Sequence, residues 1–484
     1  MESNIKNKVL KNMIWRFFER CSAQFVQFVV SVVLARVLEP EAFGTVSLVL
    51  VFAQILQVFV DSGLGNALIQ KKSADELDFS SVFYFNVIWC LVLYFIIFFA
   101  APGISCFYQD LSLTPIIRIL CLTVVISGLK NVQQAYVSKT LQFKKFFLAT
   151  LGGTIASAVT GITLALQGFG IWALVAQKLV NLLIDTLVLW ITVEWRPKRI
   201  FSWRRLKSLI GYGWKLLASS LLNTIYDNLN SVVIGKKYSP TDLSYYNRGN
   251  QFPNLIVNNI NSSIDSVLLP VMSNEQNDKN RVKEMVRKSI KTGTYIIAPL
   301  LLGLAFCADS VVEIVLTERW LPCVPFLRIF CITYMFYPIH TANLNALKAM
   351  GRSDLFLKLE IMKKVVGIIL LVISMQFGVM AMAYSTLISS LLSQIINTWP
   401  NRTLLNYGYE EQLKDILPNI LLASAMGVIV LIVGFLKLPV ILTLIFQVIV
   451  GAAIYTLGSI VFKFESFIYL WKIVKKCFIK KRGI

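Results

Sequence analysis

The sequence predicts an all-α membrane protein of about fourteen transmembrane helices, built as two six-helix parallel-repeat lobes plus two extra C-terminal helices. Three observations predict this. Apolar stretches long enough to span a bilayer, about 20 residues each, follow one another nearly end to end. Lys and Arg gather in alternate connections, as the positive-inside rule requires. Short motifs return at a fixed offset of about 200–210 residues. Composition agrees: 56% of the 484 residues are hydrophobic and only 15% are charged, at a mean hydropathy of +0.67. A soluble chain carries about 25% charged residues.

Taken in order, the spans fall near 12–37, 45–68, 80–101, 115–138, 146–167, 170–193 and 208–235. They continue near 247–272, 289–317, 323–348, 356–377, 379–399, 415–436 and 439–462. With the N-terminus in the cytoplasm, the inside segments and both tails hold about 29 Lys and Arg and the outside loops about 4. That asymmetry fixes the orientation and places both termini inside. It also accounts for the net charge of +21 without a nucleic-acid partner. The first eleven residues are polar and basic, and the apolar run behind them is too long and too charged for a cleaved signal. The tail places Phe464, Phe467, Ile468 and Trp471 beside Lys472, Lys475 and Lys476. It reads as an amphipathic helix on the anionic inner leaflet, with membrane lipids as partners.

The repeat defines the domains. Pro115-Ile-Ile-Arg118 returns as Pro325-Phe-Leu-Arg328, and Phe169-Gly170-x-x-Ala173 as Phe377-Gly378-x-x-Ala381. The turn at Pro40 returns as Ser239-Pro240-Thr241-Asp242. Residues 1–200 form one lobe, 201–400 the other, and 401–484 hold the two extra helices and the basic tail. Six helices per unit is an even number, so the lobes run in the same direction.

Polar faces mark where function lies. On the first helix Arg16, Arg20, Gln24, Gln27 and Ser31 recur at spacings of 4, 4, 3 and 4, which puts them on one face. The set returns 199 residues later as Lys215, Ser219, Asn223, Tyr226 and Asn230. The second helix of each unit carries its own face: Ser47, Gln54, Gln57 and Asp61, then Asn247, Asn250, Asn254, Asn258, Asn261 and Asp265. A cation at the bilayer centre costs about 2.5–3.5 kcal/mol, so such faces avoid lipid. Asn side chains bridging helices are the plainer alternative, but four matched stripes favour a hydrated cavity between the lobes. Arg16, Arg20 and Lys215 would meet an anionic group from the cytoplasmic side. The Gln, Asn and Tyr positions suit sugar hydroxyls. Asp61, Asp227 and Asp265 are candidates for ion coupling. Arg118 and Arg328 read as structural by their symmetry, and Lys178 as the neutraliser of Asp185 two turns away.

No enzyme is expected. No nucleophile–base arrangement, phosphate-binding loop or metal-ligand spacing is present, so neither a cofactor nor a metal is anticipated. The cysteines form no CxxC pair, and the lone His340 lies in an apolar run where packing or a cavity wall explains it.

The chain resembles the polysaccharide flippases of the MOP (multidrug, oligosaccharidyl-lipid, polysaccharide) exporter superfamily. It is most similar to Wzx-type exporters, including the colanic-acid branch. The carrying residues are Leu34-Ala35-Arg36-Val37-Leu38-x-Pro40-x-x-Phe43-Gly44, Asp61-Ser62-Gly63-Leu64-Gly65-Asn66-Ala67-Leu68-Ile69 and Gly211-Tyr212-Gly213-Trp214-Lys215. Tyr245-Tyr246-Asn247-Arg248 and Leu347-Lys348-Ala349-x-Gly351-Arg352 add to them. The resemblance implies alternating access at a bacterial inner membrane, carrying polyprenyl-diphosphate-linked oligosaccharide outward. It also implies coupling to Na+ or H+, and a polysaccharide polymerase and chain-length regulator as partners. A multidrug or cation antiporter of the same fold is the alternative, although aromatics and carboxylates would then be expected in place of Asn and cations. A membrane glycosyltransferase or polymerase is disfavoured by the short outside loops.

Overall fold

The computed structural model describes residues 22–481 apart from Ser62, Lys72 and Lys437. The first predicted cations, Arg16 and Arg20, lie outside the described residues. The helices in the first half are α1 (Ser22–Val37), α2 (Pro40–Asp61), α3 (Leu64–Gln70), α4 (Glu76–Tyr108), α5 (Leu113–Leu120) and α6 (Leu122–Lys139). Next come α7 (Phe143–Leu166), α8 (Ile171–Thr192), α9 (Trp203–Lys237) and α10 (Pro240–Asn274). The rest are α11 (Lys279–Phe306), α12 (Ala308–Leu316), α13 (Val324–Met335), α14 (Tyr337–Ala349) and α15 (Ser353–Ser374). The chain ends with α16 (Val379–Leu404), α17 (Tyr409–Gly434), α18 (Val440–Val461) and α19 (Glu465–Lys481). No strand occurs among the described residues. Ten of their helical stretches are long and apolar enough to cross a membrane, which makes this a multi-pass membrane protein.

Helix boundaries follow local chemistry. Pro40 and Pro240 open α2 and α10 at repeat-related positions, where a fixed φ and a missing N–H cost nothing. Asp75 caps α4 reciprocally: its carboxylate accepts the Asp78 N–H at 3.1 Å while Asp78 accepts the Asp75 N–H at 3.2 Å. Ser239 and Asp242 form the same box at α10, at 3.0 and 3.3 Å, so Asp242 is a cap acid. Gly170 and Gly378 precede α8 and α16 with φ of +55° and +106°. Few other residues accept that backbone, which is why the Phe-Gly pair recurs.

Four predicted spans are interrupted. The stretch 45–68 breaks between α2 and α3 near Gly63, and 115–138 breaks at Cys121. The stretch 323–348 breaks at Phe336, where Pro338 lies in the first turn of α14, and 289–317 divides into α11 and α12. Periodicity alone does not reveal these breaks, because both sides remain apolar.

Packing divides the chain into two compact units, Met1–Ser244 and Tyr245–Ile484. The first includes α9, so this division falls later than the start of the sequence repeat. Two cores hold it. Leu34, Val46, Ile97, Ile117 and Leu174 fill one. Leu68, Phe79, Val132, Phe146, Trp195 and Leu206 fill the other, with Phe79 and Trp195 ring centroids 5.8 Å apart. In the second unit Met272, Val282, Ile290, Ile339, Tyr407 and Ile416 make a core. There α17 and α18 dock on α11: Tyr295 donates to Ser459 Oγ at 2.7 Å, and Tyr455 donates to the Tyr295 carbonyl at 2.8 Å.

Candidate functional site

In the first unit the polar faces are open. On α1, Gln24 and Gln27 are exposed and Ser31 is half-buried, while Ala23, Val30, Leu34 and Ala35 are buried. On α9, Lys215, Ser219, Asn223 and Asp227 are exposed and Tyr226 is half-buried. Gln54 on α2 is exposed as well. Gln57, one turn on, donates to Asp61 Oδ1 at 2.9 Å, and the same oxygen accepts from Asn131 of α6 at 3.3 Å. Asn131 in turn accepts from Asn86 of α4 at 3.4 Å. Asp61 is thus tied to a polar cluster rather than standing alone.

Glycines let α9 and the start of α10 lie against α2. A Cβ at Gly44 would sit 1.7 Å from the Pro240 carbonyl oxygen, and one at Gly235 would sit 1.9 Å from Leu48 Cδ2. Gly213 backs onto Gly63 at 2.8 Å in the same sense. At Gly44 and Gly213 the obstacle is backbone, which cannot turn aside for a side chain; at Gly235 it is the end of the Leu48 side chain.

On α10 the predicted stripe divides. Tyr334 of α13 donates to Asn250 Oδ1 at 2.6 Å and accepts from Asn254 at 3.2 Å, so both Asn residues are drawn onto α13. Asn258 donates to Asn254. Asn261 is buried, its Oδ1 unpartnered. Asp265 accepts from Asn345 of α14 at 2.7 Å. The open surface is instead Asn258, Asn259, Ser262, Ser263, Asp265 and Ser266. The Ser hydroxyls donate to carbonyls of their own helix, Ser263 to Asn259 at 2.9 Å and Ser266 to Ser263 at 2.8 Å. That leaves their lone pairs outward. Asn259, Ser262, Ser263 and Ser266 escape the sequence reading because they adjoin the Asn stripe rather than share its spacing.

The charges inside the bundles are paired. Asp185 on α8 meets Lys130 Nζ of α6 at 2.9 Å, a partner that local spacing on α8 did not indicate. Arg118 and Arg328 do the same work in each unit: Nε donates at 3.2 Å to the Phe98 and Ala305 carbonyls respectively. Their symmetry is structural. Lys363 pairs with Glu360 at 2.5 Å within α15.

Ion pairs also hold the helix ends. Lys71 Nζ lies 2.6 Å from Asp78, and Lys198 lies 2.6 Å from Glu76. Arg205 reaches Asp75 at 2.5 Å. The Asp75 carboxyl is held below its ordinary value first by the Asp78 backbone N–H and then by Arg205. At the start of α19, Glu465 lies 2.6 Å from Lys291, whose ammonium holds the Glu465 carboxyl below its ordinary value.

A buried polar seam in the second unit went unread in the sequence. Asn343 of α14 exchanges amide hydrogen bonds with Gln412 of α17 at 2.8 and 3.0 Å, and accepts from Asn401 of α16 at 2.6 Å. Thr398 joins Gln412 at 3.3 Å. His340 Nδ1 lies 3.0 Å from Asn397 Nδ2. Below them Tyr407 donates to Asp415 at 2.8 Å, and Arg287 grips the same carboxylate with two bonds of 2.8 Å. The available signal was Ser390, Gln394, Asn397 and Asn401 at spacings of 4, 3 and 4.

Many apolar spans, with polar side chains gathered on a few helices, define a multi-pass all-α membrane protein of the transporter type. Its fold is similar to that of a lipid II flippase, MurJ, in an inward closed conformation. The TM-score is 0.75 at 16% identity, over 94% of this chain and 99% of that one. The chain belongs to the family described as "Polysaccharide biosynthesis protein", which matches residues 33–325. It is 26% identical over 385 residues to the teichuronic acid biosynthesis protein TuaB of Bacillus subtilis, with 78% of each chain covered. It is 23% identical over 444 residues to the lipopolysaccharide biosynthesis protein WzxC of Escherichia coli, covering 88% of this chain and 89% of that one. The resemblance to MOP-type polysaccharide exporters read from the motifs is borne out.

Proposed function

We propose that this chain flips a lipid-linked oligosaccharide, carried on a polyprenyl diphosphate, from the cytoplasmic to the outer face of a bacterial inner membrane. The observation that carries this reading is the open amide and hydroxyl surface of α10, Asn258, Asn259, Ser262, Ser263, Asp265 and Ser266. A helix inside a membrane protein has no reason to show lipid such a surface. A polyhydroxylated ligand gives its donors and acceptors partners. Membership of a polysaccharide biosynthesis family and the roles named for TuaB, WzxC and MurJ support the same substrate class.

In this reading α1, α9, α10 and α15 cross the membrane beside the ten more apolar stretches, giving fourteen spans with both termini inside. Residues 1–200 and 201–400 act as rocking lobes, and α17 and α18 stand outside the repeat. Arg16, Arg20 and Lys215 hold the diphosphate. Gln24, Gln27, Gln54, Asn223, Tyr226 and the open face of α10 hold sugars. Asn250 and Asn254 chiefly position α10 against α13, and Gln57 positions Asp61. Asp61, Asp227 or Asp265 couples an ion. Transport of this kind needs no chemistry on the substrate.

The test is Arg16→Ala with Arg20→Ala, and separately Lys215→Ala, in cells that depend on this chain for surface polymer. Polymer should fall at least tenfold with the protein still at its normal level in the membrane. Undiminished polymer from both variants would refute the assignment.

A further inference from the structure

The second unit contains a path that the transport reading does not use. It begins at Tyr334, whose hydroxyl is bonded to Asn250 and Asn254 of α10. The Tyr334 and Tyr337 ring centroids are 4.9 Å apart, and Tyr337 lies 5.9 Å from the His340 ring. His340 is half-buried. Asn397 stands 3.0 Å from its Nδ1, and Ser390 Oγ stands 3.5 Å from its Nε2. Farther along lie Asn343, Thr398, Asn401 and Gln412, linked through Gln412 to the Tyr407 carbonyl at 3.3 Å. The Tyr407 hydroxyl then donates to Asp415, whose carboxylate is paired with Arg287 and Lys291.

This seam is not satisfied by protein alone. Gln394 is 1% exposed, yet neither its amide oxygen nor its amide nitrogen has a partner. Asn397 and Asn401, 1% and 0% exposed, each keep an unpartnered Oδ1. All three share the α16 face that looks at α14. A buried amide left without a partner is destabilising, and a polar seam with several orphaned atoms is where buried water resides.

We propose that the seam between α14, α16 and α17 is a water-filled proton path and that His340 is its proton-carrying group. Its coupling to transport rests on the function proposed above. Proton transfer balances without any other reactant. A seam water on one side gives a proton to the bare imidazole nitrogen. The imidazolium then releases the proton on its other nitrogen to a water on the far side, and a rotation of the ring about Cβ–Cγ, exchanging the Asn397 and Ser390 contacts, returns it to its starting state. The groups facing the imidazole are Tyr337 of α14 and Ser390 and Asn397 of α16. The nearest charge is Lys363 of α15, held by Glu360. From α10, Asp265 is engaged by Asn345.

The chain has one histidine, so histidine labelled with ¹³C and ¹⁵N reports this site alone. The test uses the full-length protein in nanodiscs of phosphatidylethanolamine and phosphatidylglycerol. Its imidazole resonances should move between pH 8 and pH 3 in a single titration. In cells, His340→Gln should lower surface polymer at least tenfold with the protein still in the membrane. Resonances that stay fixed across that range would overturn the proposal and leave a structural seam, as would full polymer output from His340→Gln. The labelled wild-type protein decides the matter even if the variant fails to fold. If the Arg16, Arg20 and Lys215 variants still export polymer while the imidazole titrates, the transport reading fails and the proton site stands. The reverse pattern fails the proton path alone.

Discussion

Lys130 and Asp185 give the sharpest test of what charges do inside the first unit. Both side chains are 13% exposed, with Nζ and Oδ2 2.9 Å apart. At an effective dielectric of about 20, charges at that distance attract by about 6 kcal/mol. Desolvation costs several kcal/mol for each ion, so the pair as a whole nets close to zero against uncharged replacements. Removing one partner differs: it strands a charge, at about 3–5 kcal/mol. Insertion scales give about 2.5–3.5 kcal/mol for a lone charge in a bilayer, so the two routes meet near 3 kcal/mol. The perturbations are Lys130→Met and Asp185→Asn, singly and together. Each single variant should melt about 6–12 °C below the wild type, at about 2–4 °C per kcal/mol for a unit of this size. The double variant should regain most of that and export polymer normally. Melting midpoints of purified protein and surface polymer output are the readouts. A double variant no more stable than the weaker single would refute the pairing argument. A stable but silent double would show that the pair serves transport instead of structure.

Two further predictions use the same readouts or close relatives. Gly44→Leu should lower the melting midpoint and abolish export, because its Cβ would sit 1.7 Å from the Pro240 carbonyl oxygen; Gly103→Leu, with nothing within 4 Å of its added Cβ, is the control, and equal behaviour would refute the contact. The cap at Asp75 predicts a pH effect. Its folded carboxyl titrates below the ordinary 3.8, so its stabilisation is present above that value and fades as pH falls beneath it. Corrected hydrogen exchange at Asp78 and Phe79 should rise between pH 4.5 and pH 3, and Asp75→Ala should already exchange fast at pH 6; indifference of that variant would remove the cap from the account.

Much of the architecture is legible in the sequence because its causes are local. Apolar length marks the spans, proline opens α2 and α10, and a glycine that must take positive φ marks the Phe-Gly turns. Arg118 and Arg328 were readable as a pair, and each donates to a carbonyl of an earlier apolar helix, α4 and α11 respectively. Helix rotation was not readable. Asn250, Asn254 and Asn258 have ideal spacing for one face, yet Tyr334, far along the chain, decides that two of them turn to α13. Asp185 has Lys178 two turns away, but its carboxylate meets Lys130, 55 residues distant. Local spacing limits which residues could meet, and tertiary packing selects among them. The polar seam was hidden for the same reason, since His340, Asn397 and Gln412 come from three helices and none is unusual where it stands.

The helices that fall short of a plain membrane span are informative as a set. Among the described helices of comparable length, α9 and α10 run to 35 residues each yet are too polar, and α15 carries Lys358, Glu360, Lys363 and Lys364. Insertion of such helices is opposed by each amide and charge they carry, so the cost is recovered only where neighbours or water cover the polar face. For α15 the cover is internal, through Lys363 and Glu360. For α10 it is half internal, through Tyr334 and Asn345, while the stretch from Asn258 to Ser266 stays open. On α9, Lys215 and Ser219 are exposed. Among the described helices, exposed polar side chains therefore concentrate on α9 and on the stretch of α10 from Asn258 to Ser266.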